Sequence, residues 1–116
     1  MRILVRAVNL ELDGKLHAAV ESRLRAGLDR LAHRIQTVTV RLADHAGPRG
    51  GEDIDCLLDV RLRPRGRLVI EERDLDPLGA TGKATDAAAT AVIRSLERTR
   101  DMHRRAGYQR SRQQFA

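Results

Sequence analysis

Aromatic side chains are almost missing from this chain. Tyr108 and Phe115 are the only ones, both close to the C-terminus, and there is no tryptophan. The core must therefore be aliphatic, and a sheet that reads bases by stacking them on aromatic rings is disfavoured. A single cysteine, Cys56, rules out an intramolecular disulfide and makes a reducing cytoplasm the expected compartment. No stretch approaches the roughly 18 apolar residues that span a bilayer, so no membrane partner is expected. The opening MRILVRAVNLELDG has one short apolar run and no small-residue cleavage pattern, and reads as structure rather than as a signal peptide. Lysine is scarce as well, two against twenty arginines. Coding bias accounts for that ratio as readily as phosphate binding does, but bias does not decide where the charge is placed.

What is present is regular patterning over 116 residues, enough for one domain with a modest core. Ile3, Val5 and Ala7 alternate with Arg2, Leu4 and Arg6, the mark of a half-buried strand over 2–8. Asp13 is a good N-cap, and Leu16, Val20, Leu24, Leu28 and Leu31 then recur at helical spacing over about 14–33. Gly27 inside that helix costs about 1 kcal/mol relative to alanine, which leaves close packing there as an open question. Alternation returns over 35–44, with Val38, Val40 and Leu42 on one face. It returns again over 54–63, with Ile54, Cys56, Leu58, Val60 and Leu62 on one face. HAGPRGG between them predicts a mobile hairpin loop over 45–51, and Pro64-Arg65-Gly66 a turn into a fourth strand over 67–73. DLDPLGATG reads as a loop over 74–82, followed by a helix of about 85–106 with an apolar stripe of Ala88, Val92 and Leu96. The order β-α-β-β-β-α, with one apolar face per element, predicts an α+β fold: a two-layer sandwich of a four-stranded sheet with both helices on one face. The domain is expected over 1–106, with 107–116 a basic, disordered tail.

Catalytic constellations are hard to find. His17, His33, His45 and His103 are scattered without helical pairing or a cysteine cluster, so no metal site is expected. Cys56 sits on the inward face of a strand with no identifiable base, and reads as a small core residue rather than a nucleophile. Gly79-Ala80-Thr81-Gly82-Lys83-Ala84-Thr85 has two residues between its glycines where a phosphate loop needs four, and alanine where it needs serine or threonine. It reads as a linker and helix start. Glu52, Asp53, Asp55 and Asp59 read as a solvated strand edge rather than a cation site. No enzyme, cofactor or small-molecule substrate is implied.

Charge placement is more informative. Residues 94–116 hold seven arginines against Glu97 and Asp101, while residues 1–93 are close to balanced. A nearly neutral body with a basic helix end points to a polyanion partner, bound through phosphates by charge and shape. The alternative is a solvated helix end on a protein-interaction module, acting as a homodimer or complex subunit through a sheet edge, with Leu4 and Leu57 exposed.

The order of elements and several short motifs resemble the short form of the ribosome hibernation promoting factor family, also called ribosome-associated inhibitors. Asn9-Leu10-Glu11-Leu12-Asp13 with Leu16 is similar to that family's strand-to-helix entry. Ile35, Val38, Val40 and Leu42 are similar to its second strand, and Ala87-Ala88, Val92-Ile93, Leu96 and Arg98 to its final helix. The resemblance covers about 2–106. It implies a fold like that of double-stranded RNA-binding domains and a non-enzymatic factor on the small ribosomal subunit, blocking translation in stressed cells. Arg98 and Arg104 fall on basic positions of the family's last helix, and Arg23 near one of its first. Ser95 and Met102 stand where lysine is usual and Asp86 where tyrosine is common, with Arg94, Arg100 and Arg105 on neighbouring surfaces to compensate. The expected RNA-binding set is thus Arg23, Arg94, Arg98, Arg100, Arg104 and Arg105, the expected partner the small subunit and its RNA, with a weak homodimer as a second association.

Overall fold

The computed structural model describes the backbone of residues 1–45 and 53–114, and their side chains except those of 103 and 105–114. Its elements are β1 (Arg2–Val8), α1 (Gly14–Leu28), a 3-10 segment (Asp29–Arg34), β2 (Ile35–Asp44), β3 (Ile54–Leu62), β4 (Arg67–Asp74) and α2 (Pro77–Gln114). The strands form one sheet in the order β1-β2-β3-β4. β1 and β2 are joined through a helix and run parallel, whereas β2, β3 and β4 form the expected antiparallel meander. The expected hairpin loop at 45–51 falls, apart from His45, outside the described residues.

The strand register explains the core. Val5, Val40, Leu58 and Ile70 stand side by side across the four strands, and Ile3, Val38, Val60 and Leu68 make the next row. Both helices cover these rows. α1 contributes Val20, Leu24 and Leu28, and α2 contributes Ala80, Ala84, Ala88 and Val92, all buried completely. Burying each of the leucines stabilises the fold by roughly 1.5–3 kcal/mol, so the aliphatic seam carries the stability that aromatics supply elsewhere. α2 brings small residues to this seam, which lets its backbone lie close to the sheet. The other face of the sheet is bare of helices.

Two boundaries differ from expectation. The helix over 14–33 closes as α-helix at Leu28, and the tighter 3-10 segment turns the chain so that Leu31 and Ile35 both reach the core. At its start Asp13 accepts from Leu16 N–H at 2.7 Å, the predicted cap. The larger correction concerns 74–82, which is not a loop. α2 begins at Pro77, with Asp76 as its N-cap: Asp76 Oδ1 accepts from Gly79 N–H at 2.7 Å and the Asp76 carbonyl from Ala80 N–H at 3.0 Å. Proline at the first helical position loses no hydrogen bond there. Gly79 and Gly82, read as loop signals, lie in the first turns. A side chain at Gly79 would collide with the Asp74 carboxylate. α2 also runs past Ala106 to Gln114, because Gly107 is tolerated inside a helix and no proline follows it.

Candidate nucleic-acid interface

The sheet register sorts charge by end. At one end lie the starts of β1, β2 and β4, the end of β3, and the 3-10 segment. This brings together Arg2, Arg34, Arg61, Arg63, Arg65 and Arg67. At the other end lie Glu11, Asp13, Asp44, Asp53, Asp74 and Asp76. A strand of seven to ten residues separates the two, about 25–30 Å at the usual rise. The body is therefore not uniformly neutral but polar along its strands. α2 starts at the acidic end, crosses the sheet, and leaves from the basic end. Val92 is its last buried residue among those described, and beyond Leu96 the described side chains are all exposed. At 1.5 Å per residue its length is roughly 57 Å, within a molecule 69 Å in its longest dimension.

Of the six arginines expected to bind RNA, the five whose side chains are described do not form one surface. Arg23 lies between the helices, over the space left by Gly27 and Gly82, and its Nη2 donates to Asp86 Oδ1 at 3.1 Å. That contact joins α1 to α2, and Asp86 is the partner that engages Arg23. Arg94 and Arg98 share a shallow groove with Ile70, Glu97 and Asp101 on the β4 side of α2. Arg100 and Arg104 are one turn apart on another face, roughly 120° round the helix axis from the first pair. The stripe of Glu97 and Asp101 runs between the two rows. The Arg105 side chain lies outside the described residues.

Arg34, Arg63 and Arg65 went unnoticed as a group in the sequence. The Arg63 N–H donates to the Arg34 carbonyl at 2.8 Å, which fixes the β3–β4 turn against the start of β2. None of the three guanidinium groups has an ion pair among the described residues. Other arginines are engaged. Arg25 pairs with Glu21 at 3.1 Å and Arg73 with Asp55 at 2.6 Å, an ion pair whose N–H is not aimed along the contact. Arg67 donates Nε and Nη2 to the two oxygens of Asp59 at 3.0 and 2.8 Å. These bonds hold the Asp59 carboxyl below its ordinary range against the opposing effect of desolvation.

Cys56 is fully buried beneath α2, where desolvation pushes its thiol up to about 11 against a smaller opposing effect of the Thr81 hydroxyl. It stays protonated at neutral pH, as a core residue does. Among the described residues no helix is long and apolar enough to cross a membrane.

Comparisons with known proteins agree with this architecture. No protein-family model and no curated protein matches the chain. Among solved structures, the N-terminal domain of Thermus thermophilus Protein Y matches with a TM-score of 0.64 at 30% sequence identity, over 81% of this chain and 98% of that one. A ribosomal subunit interface protein from Coxiella burnetii matches with a TM-score of 0.69 over 84% of this chain and 99% of that one. At 10% identity the second likeness is one of fold alone.

Proposed function

This chain belongs to the ribosome hibernation promoting factor family, and from that premise we propose that it is a non-enzymatic factor that binds ribosomes. Its target is the small ribosomal subunit, its compartment the cytoplasm, and its effect the inhibition of translation or the preservation of idle ribosomes under stress. The observation that carries this reading is the basic end of the sheet, where Arg34, Arg63 and Arg65, without an ion pair among the described residues, gather at the point from which α2 projects. Guanidinium groups without an ion pair among the described residues, carried on backbone fixed by hydrogen bonds, suit phosphate oxygens, because little backbone freedom remains to be lost on binding. Arg94, Arg98, Arg100 and Arg104 extend that charge along α2, and the sandwich excludes tRNA and mRNA by its bulk. Arg23 acts mainly by holding the helices together. A protein-interaction module gains less support: Leu57, expected to be exposed, is half-buried, and the exposed Leu4 and Val69 lie on opposite edge strands with Thr39 and Asp59 between them.

Co-sedimentation of the purified protein with small subunits tests the proposal. The wild type is expected to pellet with them, and Arg98→Ala with Arg104→Ala to pellet markedly less while keeping its fold. No association at physiological salt would overturn the reading.

A further inference from the structure

At the basic end, the β3–β4 turn and the emerging part of α2 enclose a groove of about 590 Å³. Its walls are of two kinds. Arg34, Arg63 and Arg65 supply charge, and Leu62, Leu96 and Met102 supply an apolar surface. Among the described residues no acidic side chain lines it. The shallow groove holding Arg94 and Arg98 differs, because Glu97 and Asp101 line it too. Met102 is 69% exposed and so contributes little to the core, yet it stands over the groove where solvent alone would favour a polar residue.

Three arginines without an ion pair among the described residues call for an anion, but a bare phosphate would leave Met102 and Leu96 in water. The combined surface fits an anion that carries a flat, weakly polar ring. A thioether beside an aliphatic wall makes favourable contact with such a ring, and guanidinium groups grip the phosphates on either side of it. We infer that this groove receives one unstacked nucleotide of a single-stranded RNA segment, its base against Met102 and Leu96 and its phosphates on Arg34, Arg63 and Arg65. The inference rests on the ribosome-binding reading and deepens it: the helix arginines hold RNA by charge alone, whereas this groove distinguishes a strand that can turn a base outward.

The test compares two labelled strands of equal charge, a uridine hexamer and an abasic hexamer, by fluorescence anisotropy on the full chain at low salt. The wild type should bind the base-bearing strand about fivefold more tightly. Met102→Ser should abolish that preference and leave affinity for the abasic strand unchanged. Arg63→Gln with Arg65→Gln should weaken both strands about tenfold or more. Equal affinity of the wild type for the two strands, or failure to bind either, overturns the groove assignment, as does a preference that survives Met102→Ser. Co-sedimentation with small subunits separates the two claims. If it persists while the base preference is absent, the groove assignment falls and the ribosome reading stands. If it is lost while the preference remains, the reverse holds.

Discussion

At the end of the sheet where α2 begins, Asp55 is held by His45 at 2.7 Å and by Arg73 at 2.6 Å. Nearby, Asp74 lies 3.7 Å from Lys83, and Asp76 caps α2. At the end where α2 leaves, Arg34, Arg63 and Arg65 line a common groove without an ion pair among the described residues. Both ends are charged and both are built from strand termini and turns. Apart from Arg67, which pairs with Asp59, they differ in whether the charge has a partner among the described residues. Paired charge is consumed in fixing local structure, and at exposed sites contributes only about 0–1 kcal/mol. Charge held in place without a partner is a cost to the isolated protein through self-repulsion, and a binding surface is what offsets it.

The largest expected consequence is in salt. If four or more of the free arginines meet phosphates, raising salt from about 50 to about 200 mM should weaken ribosome binding on the order of a hundredfold. An affinity flat across that range would remove the functional distinction between the two ends.

Substitution at each end sharpens the point. Arg63→Ala with Arg65→Ala should weaken ribosome binding about thirtyfold, at about 1 kcal/mol for each phosphate contact, with no fall in thermal stability. Asp74→Asn with Lys83→Met should instead leave ribosome binding unchanged and lower stability by no more than about 1 kcal/mol. Similar binding losses at both ends would reduce the interface to overall charge.

The helix seam supplies a smaller contrast, in stability rather than affinity. A methyl group at Gly27 would run into the Thr85 methyl, and Thr85 is buried with its hydroxyl donating to the Thr81 carbonyl at 2.6 Å. Gly27→Ala should therefore destabilise the fold by about 1–2 kcal/mol despite its better helix propensity. At Gly82 the same methyl would meet Arg23 at 3.4 Å, an ordinary contact. Gly82→Ala should stabilise by about 0.4–1 kcal/mol. Thermal melts of the two variants, moving in opposite directions, would locate the close helix approach at Gly27.

Much of the fold was legible because period-two and helical patterns were strong where aliphatic residues face the core, as in Ile54 to Leu62. The start of α2 was misread because two glycines outweighed the Asp76-Pro77 pair, although that pair carried both a cap and a first-turn proline. The helix tolerates those glycines because each faces a neighbouring side chain, Asp74 or Arg23, and that is visible only in three dimensions. The binding surface was half legible. Counting charge along the chain found the arginines of α2, yet it averaged Arg34, Arg63 and Arg65 against acids that the fold sends to the opposite end. Drawing the meander as an ordered set of strand ends would have revealed them, since the start of β2 and the turn after β3 must share an edge.

The smallest expected effect lies on the open face of the sheet, where Arg67 grips Asp59 with two hydrogen bonds. Arg67 is the first residue of β4, at the basic end itself, so the pair shows what happens to an arginine there once it has an acid partner. The Asp59 carboxyl is lowered from 3.8 in the folded chain, first by the hydrogen bonds from Arg67 and then by its charge. A lowered folded value means that the unfolded chain takes up the proton more readily. The contribution is therefore full above the unfolded value and disappears as pH falls through the still lower folded value. Arg67→Met should lower the melting temperature slightly near about pH 7, and the difference from wild type should shrink and disappear as pH falls below the ordinary carboxylate range. Solvent screening keeps the difference small, because the Arg67 side chain is 58% exposed. Ribosome binding should fall by less than it does for Arg63→Ala alone, since Arg67 already spends its donors on Asp59. A loss as large as that of Arg63→Ala would show that the pair opens on binding and that Arg67 belongs with the free arginines.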